Sequence, residues 1–481
     1  MDAVSRIDVA RGERAEPGQQ HHVVGGADAG VEPAPGATGG WVAHTVAAPE
    51  AVDPLALAAA DGHVFTHPRG SLAGVGVALR IEVPAAASPS EAAAIVAGAL
   101  ASIETVDEVD RPGTGPVAFA ALPFAPGRPR ELVVPRLIVG RAEDGTTWRT
   151  SLTPRADGPT GDDQPRDGDA GLPRPAGSPG AATVPTADAP TRAAPDSPTV
   201  RPTERLPGAF SVTSTIEPES WCDKVAAARD RLVAGELRKV VLAREVEVRT
   251  PGRISRAAVL ERLRDAYPGC MLFAVDGFVG ASPELLVARA ADRVRSHPLA
   301  GTTKRSADPD EDRRLSDALR ASAKDREEHR ITIDMVHETL LPFCSYLDEE
   351  AEPSIVPMAN VQHLGTMVEG QLSSPAPSVL ELALTLHPTP AVGGWPVGDA
   401  LALIDELEGI DRGRYAGPVG WVDARGNGEW AVGIRSAELA DDRQSARVFA
   451  GVGVVADSDP ELELAETRAK FQAMLSAIIR P

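Results

Sequence analysis

A lysine and a glutamate each stand in a stretch that is otherwise largely apolar. Lys239 begins "KVVLAREVEV" (239–248), which reads as a β-strand that places its ammonium on a small apolar face. Glu284 follows the apolar "FVGASP" (278–283), where a desolvated carboxyl has a raised pKa and holds its proton near neutrality. A lysine held in a closed pocket could take part in chemistry, and such a carboxyl could keep a proton at neutral pH. The residues alone leave open a lysine that snorkels from a strand end and a glutamate at a strand edge.

Two pairs of carboxylates are spaced three residues apart in stretches of helical periodicity. Asp325 and Glu328 form one pair, and Glu463 and Glu466 form the other, with Lys470 one turn further along. Residues three or four apart share a helix face, and like charges there are mildly unfavourable unless a cation lies between them. Two such pairs facing each other would make an oxygen site for Mg²⁺. The alternative is two solvated acidic helix faces.

Further features are suited to binding an anion. Arg435 interrupts a strand-like stretch, and a buried guanidinium favours a carboxylate that it can bind through two hydrogen bonds. The segments "PLAGTTKR" (298–305) and "FAGVGVV" (449–455) contain glycines that allow close approach, so their backbone N–H groups could also bind carboxylate oxygens.

Several common catalytic motifs are absent. No GxxxxGK[ST] phosphate loop and no HExxH metal motif occur, and "GVGVAL" (74–79) lacks the third glycine of a dinucleotide loop. "GASPE" (280–284) lacks the second glycine of a nucleophile elbow. The sequence therefore argues against kinase, dehydrogenase and triad-hydrolase chemistry.

The elements that must position these groups fall into four segments. We predict a flexible N-terminal arm over 1–45 and a strand-rich globular part over 46–153. Residues 154–206 read as a disordered linker, because 154–205 contain 17 Pro and Gly residues and no aromatic. From 207 to 481, long helices alternate with many strands, often in hairpins, which favours a large α+β domain with much antiparallel sheet.

Composition limits the possible partners and compartment. A formal net charge of −21 over 481 residues argues against a nucleic-acid or anionic-membrane surface, although a locally basic pocket for a small anion remains compatible. Three distant cysteines provide neither a disulfide framework nor a zinc site. The N-terminus has no secretory pattern, and no apolar run is long enough to span a membrane. We expect a soluble, cytoplasmic protein.

Taken together, the motifs resemble those of the chorismate-utilising enzymes, and within them the isochorismate synthases. The resemblance is dense over 207–481 and weaker before the linker. The motifs that carry it occur in the family's order: "KVVLAR", "GASPELL", "PLAGT", "SAKDREEH", "HPTPAVGGWP", "GNGEWAVGIR", "FAGVGVV" and "AETRAKF". The resemblance implies one interleaved α+β domain, with two large antiparallel sheets, outer helices and a Mg²⁺-dependent site.

The resemblance also implies roles for individual residues. Glu328 and Glu466 match metal ligands, while Asp325 and Glu463 match carboxylates that hold metal-bound water or stand just behind it. Lys239 matches the base that activates water, and Glu284 the acid that protonates the leaving C4 hydroxyl of chorismate. The remaining matches concern substrate binding: Gly301, Thr302, His363, Ala391, Arg435, Gly451 and Lys470.

Three positions divide the family by reaction. A lysine at 239 suggests water as nucleophile, because the anthranilate synthases carry a glutamine-like residue there. Ala300 stands where some aminodeoxychorismate synthases have a lysine that forms a covalent intermediate. The lyases of the family tend to carry threonine where this chain has Ala391, so we expect release of isochorismate. The alternatives are a salicylate synthase that also eliminates pyruvate and a non-catalytic chorismate-binding protein.

The resemblance leaves the product's pathway open, because menaquinone and siderophore biosynthesis both start from isochorismate. The single-domain organisation of the chain favours menaquinone. The expectation from the family is a monomer.

Overall fold

The computed structural model describes residues 40–48, 53–59, 61–155 and 210–479. Most of the predicted arm (1–45) and nearly all of the predicted linker (154–206) lie outside the described residues. The boundary placed at 45 is wrong, because Trp41–Ala47 forms a strand paired along its length with Thr147–Pro154. That partner lies about a hundred residues away in sequence, so the local composition gave no sign of the pairing.

Within the described residues the chain forms helices and strands in frequent alternation. The helices are α1 (Pro54–Ala59), α2 (Pro89–Ala101), α3 (Pro218–Val233), α4 (Arg256–Ala266), α5 (Pro309–Ala321), α6 (Ala323–Leu340), α7 (Val379–Leu386), α8 (Val397–Leu407) and α9 (Pro460–Ile479), with a 3₁₀ turn at Leu341–Phe343. The strands are β1 (Trp41–Ala47), β2 (His63–His67), β3 (Gly70–Val75), β4 (Leu79–Val83), β5 (Glu104–Asp107), β6 (Val117–Ala121), β7 (Arg130–Val134), β8 (Leu137–Arg141), β9 (Thr147–Pro154), β10 (Ser211–Ser214), β11 (Lys239–Arg249), β12 (Met271–Val275), β13 (Phe278–Ser282), β14 (Leu285–Ala290), β15 (Arg293–His297), β16 (Leu299–Lys304), β17 (Cys344–Glu349), β18 (Ser354–Pro357), β19 (Val361–Gly365), β20 (Val368–Leu372), β21 (Gly394–Trp395), β22 (Pro418–Asp423), β23 (Gly428–Val432), β24 (Ser436–Leu439) and β25 (Ser445–Val454).

The strands assemble into two large sheets and a small one. A 13-stranded sheet has the order β10-β11-β25-β24-β13-β12-β2-β3-β8-β9-β1-β5, with β21 added beside β11. A nine-stranded sheet has the order β17-β20-β15-β14-β23-β22-β6-β7-β4, and β16-β19-β18 form the third. Neighbours pair antiparallel except β1 with β5. The predicted α+β class and antiparallel sheets are confirmed, and the three-stranded sheet is an addition.

The segments before and after residue 155 share both large sheets. β12 pairs with β2 in the 13-stranded sheet, and β22 pairs with β6 in the nine-stranded sheet. The stretch 71–83, which the pattern predicts as one strand, is divided between them: β3 joins one sheet and β4 the other. Gly76, with φ +67°, lies at this transition, in a backbone region that glycine enters without a Cβ penalty.

The stretch 310–343, whose sequence pattern predicts one long helical region, contains a break. Ser322 ends α5 and caps α6, its hydroxyl accepting from the N–H of Asp325. This starts α6 just before the first predicted carboxylate pair. The second pair is fixed in the same way, because the carboxylate of Asp459 accepts from the N–H groups of Glu461 and Leu462 at the start of α9.

Two buried clusters hold these layers together. The larger joins residues of both large sheets, including Phe65 and Phe273 of one and Phe119 and Trp430 of the other. The smaller packs α1, α4 and α9 on the 13-stranded sheet. Burying one such aromatic side chain stabilises the folded protein by about 1.5–3 kcal/mol relative to leaving it exposed to water. Among the described helices, none is both long and apolar enough to cross a membrane.

Candidate active site

The residues predicted to carry chemistry converge on one cavity of about 150 Å³. It is formed by β11 and β25 of the 13-stranded sheet, β16 and β19 of the small sheet, and helices α6 and α9. Every residue singled out in the sequence lines it: Lys239, Glu284, Gly301, Thr302, Asp325, Glu328, His363, Ala391, Arg435, Gly451, Glu463, Glu466 and Lys470. Folding therefore brings together groups that are up to 231 positions apart.

Lys239 is held inside the protein rather than at a solvated strand end. It is the first residue of β11, and its side chain is 1% exposed. Its Nζ lies 2.8 Å from Oε1 of Glu328 on α6. The snorkelling alternative is therefore wrong for this lysine, and the ammonium instead faces a carboxylate across the cavity.

Gly453 on β25 makes room for this ion pair. It lies opposite Val241 in the β11–β25 register. A Cβ at this position would stand 2.8 Å from Oε1 of Glu328 and 3.1 Å from Cε of Lys239. A side chain other than hydrogen would displace the pair, so the glycine-rich "FAGVGVV" contributes space as well as backbone.

Glu284 lies in the connection between β13 and β14 and is 3% exposed. Burial raises its pKa to about 8, although the backbone N–H of Leu299 and the charges of Lys239, Arg435 and Lys470 oppose the rise. The carboxyl is therefore mostly protonated at neutral pH, as the sequence predicts, and can donate a proton.

The four predicted metal-site carboxylates face one another from α6 and α9. Burial and the charge of Glu466 raise the pKa of Glu463 to about 7. Burial, together with the charges of Glu328 and Glu466, also raises the pKa of Asp325. Burial would raise the pKa of Glu328 too, but Lys239 and other lysines hold it below its usual value. The cluster thus carries mutual repulsion that cations relieve.

The oxygen atoms of these four carboxylates are chemically suited to bind Mg²⁺. Carboxylate oxygens are the ligands that this ion prefers, and a divalent cation would relieve the repulsion within the cluster. In this conformation, no three His, Cys, Asp or Glu side chains of the described residues stand close enough to hold a metal. Two of the carboxylates are engaged by ammonium groups instead, Glu328 by Lys239 and Glu466 by Lys470, the latter at 2.7 Å.

Arg435, His363 and Thr302 form a connected donor group on another wall. Burial, and next the charge of Arg435, lower the pKa of His363 well below its usual value, so the imidazole is neutral. A guanidinium only donates, so Nε2 of His363 accepts from Arg435 at 3.4 Å. Its Nδ1 proton is then donated to Oγ1 of Thr302 at 3.0 Å. The Thr302 hydroxyl keeps its own proton for a bound anion.

Backbone conformation shapes this wall as well. Gly301 has φ +73° and lies at a register shift of β16 between Ala300 and Thr302. A Cβ there would stand 3.1 Å from Cβ of Asp325 on α6. The glycine therefore permits both the bulge and the close approach of the helix.

Tyr415 is a cavity residue that the sequence reasoning missed. It is 5% exposed, its ring stacks on Phe449, and its hydroxyl oxygen lies 3.1 Å from the position of a Cβ at Gly451. Lys470 donates to the carbonyl of the same Gly451 at 2.8 Å. The signal available in the sequence was an aromatic in the glycine-rich "DRGRYAG" between a helix and a strand.

Two further groups at the cavity were missed: Lys324, and Arg412, which is buried beneath it. Ala391 is half-buried on the connection between α7 and β21 and presents only a methyl group.

A second cavity, of about 1120 Å³, contains none of the predicted groups. It is lined by residues of both large sheets, among them Phe65, Trp421 and Glu429. Its larger volume does not make it the catalytic candidate, because Lys239, Glu284 and both carboxylate pairs line the smaller one.

Comparison with known proteins decides the family. Residues 191–479 match the family model described as chorismate binding enzyme. The chain belongs to this family. The match includes every residue predicted for the site, all of which lie between 239 and 470.

Relatives of this chorismate-binding enzyme carry isochorismate synthase names. A Mycobacterium tuberculosis protein with the provisional name isochorismate synthase MenF is 42% identical over 381 residues, covering 76% of this chain and 88% of that protein. Isochorismate synthase DhbC of Bacillus subtilis is 43% identical over 280 residues, covering 56% of this chain and 70% of its own. The structure of the menaquinone-specific isochorismate synthase MenF of Escherichia coli is similar in fold, with TM-score 0.71, 21% identity and coverage of 92% and 95%.

Proposed function

We propose that this protein is an isochorismate synthase, which converts chorismate to isochorismate in a Mg²⁺-dependent reaction that feeds menaquinone or siderophore biosynthesis. The observation that carries the proposal is the cavity shared by Lys239 and Glu284, the first a buried lysine and the second a carboxyl kept protonated by burial. Isochorismate synthase names among relatives that are about 42% identical support it.

The reaction needs one proton removed and one supplied. Lys239, in its neutral amine form, takes a proton from water as the water oxygen bonds to C2 of the ring. The double bonds shift, the C4–O bond breaks, and Glu284 gives its proton to the departing hydroxyl, which leaves as water. Such acid and base groups each contribute roughly 10²–10⁴-fold. Mg²⁺, when bound by Glu328 and Glu466 with Asp325 and Glu463 nearby, would neutralise charge on the ring carboxylate.

The remaining groups hold the substrate dianion in place. Arg435 and the Thr302 hydroxyl it polarises through His363 present donors on one wall. Lys470 and the backbone at Gly301 and Gly451 present donors on others. Precise placement matters because a near-attack geometry supplies much of the rate enhancement.

The product is proposed to leave without loss of pyruvate. Ala391 offers no hydroxyl beside the ring, and Ala300 offers no amine for a covalent intermediate. With water as the nucleophile and no further catalytic group at those positions, the reaction ends at isochorismate.

The proposal is tested by incubating the purified protein with chorismate and Mg²⁺, with chromatography of products and a coupled pyruvate assay. We expect isochorismate without pyruvate, and loss of turnover with a chelator. Lys239→Ala should lower kcat by roughly 10²–10⁴-fold with chorismate binding retained, since it removes the base.

The matched control is Lys304→Ala, which removes an exposed lysine at the end of β16. Unchanged turnover in Lys239→Ala would refute the assignment of the base. Salicylate with stoichiometric pyruvate would make the protein a salicylate synthase, and no turnover of the wild type would favour a binding protein.

A further inference from the structure

Beneath the cavity lies a buried ion pair with no part in the chemistry proposed above. Glu408 follows the last turn of α8, Arg412 is four residues further, and both side chains are 3% exposed. The guanidinium binds both carboxylate oxygens, Nε to Oε2 at 2.8 Å and the second nitrogen to Oε1. Burying an unpaired charge this deeply carries a large desolvation penalty. The two side chains must therefore keep a close, hydrogen-bonded geometry.

The pair fills a gap in the partner strands of β11. The edge of β11 that faces away from β25 is paired with β21 at Lys239 and Val240, and with β10 only from Val246 onward. Between them, the carbonyl of Val241 and the N–H of Ala243 have no strand beside them. Buried backbone groups left unpaired cost free energy, so this edge needs another partner.

The side chains of the ion pair supply that partner. Arg412 donates to the carbonyl of Val241 at 2.7 Å. Ala243 donates its N–H to Oε1 of Glu408 at 2.7 Å. One donor and one acceptor therefore replace the missing strand, two and four residues from Lys239.

The same guanidinium reaches a second wall of the cavity. It donates to the carbonyl of Val392 at 2.9 Å, next to Ala391. Its face lies 4.1 Å from the ring centre of Phe124, which restricts its orientation from the other side. The backbone that carries Lys239 and the connection that carries Ala391 are thus joined through a single side chain.

We propose that Glu408 and Arg412 are positioning residues for the reaction, setting the location of Lys239 against the substrate ring and of the Ala391 connection beside it. Neither side chain acts on the reacting atoms. The inference rests on the proposed role of Lys239, and it predicts that the pair affects turnover more than substrate affinity, because misplacing a base by about 1 Å can cost on the order of 10²-fold in rate.

The chain offers a matched control on the same strand. Glu245 of β11 is buried and binds Arg447 through two hydrogen bonds, at 2.8 and 3.0 Å. This pair is absent from the cavity lining. It differs from Glu408–Arg412 in making no hydrogen bond to the β11 backbone through its side chains.

The kinetic experiment compares Glu408→Gln and Arg412→Lys with Glu245→Gln and Arg447→Lys. All four should lower the melting temperature. For folded enzyme, we expect kcat to fall on the order of 10²-fold in the first two with KM changed by no more than about twofold, and kcat to remain at the wild-type level in the controls. Equal kcat in both sets, or a loss confined to KM, would overturn the inference.

Hydrogen exchange provides a readout that does not depend on turnover. Glu408→Ala removes the acceptor of the Ala243 N–H, so this amide should exchange faster than in the wild type, whereas Glu245→Ala should leave it protected. Unchanged protection in Glu408→Ala would overturn the inference even if kcat falls. If the wild-type protein does not convert chorismate, but the Ala243 amide still exchanges faster in Glu408→Ala, the proposed function is refuted. The role of the pair in positioning β11 then remains.

Discussion

Glu284 shows how one residue's chemistry is set by its surroundings. An exposed glutamate is ionised at neutral pH, but burial beside the β13–β14 connection raises the pKa of this carboxyl to about 8 despite nearby cations. A carboxyl that keeps its proton in the cavity of Lys239 suits the proposed role of acid, which the residue type alone only suggests.

A pH profile tests the role of Glu284. The acid donates only when protonated, so kcat should fall on the alkaline side as the pH rises through about 8. In Glu284→Gln the group can no longer donate, and kcat should drop by roughly 10²–10⁴-fold and lose this alkaline limb. Both effects are measured by initial rates of isochorismate formation over roughly pH 6 to 9.5, which spans the deprotonation of Glu284.

Glu429 is a suitable control for that experiment. It is also a partly buried glutamate, and burial by itself would raise its pKa. The hydrogen bond and charge of His67, together with nearby arginines, outweigh this effect and keep the pKa of Glu429 below its usual value. Glu429→Gln should leave the alkaline limb in place. An alkaline limb that persists in Glu284→Gln would assign the acid to another group.

At the scale of elements, the site depends on where two helices begin and how two strands approach. Ser322 caps the start of α6 and Asp459 caps the start of α9, so each carboxylate pair lies in the first turns of its helix. β25 approaches the Lys239–Glu328 pair so closely that only glycine fits at 453. Each element is locally regular, and the site arises from their contacts.

Gly453→Ala should therefore impair the site without a change in any charged group. The added methyl group would displace the Lys239–Glu328 pair, and we expect kcat to fall by roughly tenfold or more, since small displacements of catalytic groups are costly. Gly98→Ala, in the last turn of α2 with nothing near its Cβ position, should keep wild-type kcat and gain up to about 1 kcal/mol in stability. Wild-type kinetics in Gly453→Ala would contradict the assigned geometry.

Metal binding tests the facing helices α6 and α9. Glu466→Gln removes one charged donor, so the Mg²⁺ affinity measured by titration calorimetry in the presence of chorismate should weaken by roughly tenfold or more. Glu461→Gln alters an exposed glutamate in the first turn of the same helix and should leave the affinity unchanged. Equal affinities in the two variants would remove Glu466 from the metal site.

At the scale of the whole molecule, sequence reasoning succeeded where the information is local. Helical spacing placed Asp325 with Glu328 and Glu463 with Glu466. The turn residues at 276–277 and 426–428 predict the hairpins β12–β13 and β22–β23. The motif resemblance then identified residues that the fold brings to one cavity. Local periodicity and ordered motifs were sufficient for these features.

Features that depend on distant partners were missed. The β1 strand requires β9, and β3 and β4 enter different sheets although they are adjacent in sequence. The Glu408–Arg412 pair is recognisable only when β11 is seen to lack a partner at Val241 and Ala243. These are properties of the assembled sheets, which no window of the chain encodes alone.

The measurement that tests the central claim most directly is chorismate turnover with Mg²⁺ in water enriched in oxygen-18, with mass spectrometry of the early product. If Lys239 activates water for addition at C2, the isochorismate formed should carry one oxygen-18 atom in its C2 hydroxyl, and no pyruvate should appear. Unlabelled isochorismate would contradict water addition, and labelled product accompanied by stoichiometric pyruvate would contradict release at the isochorismate stage.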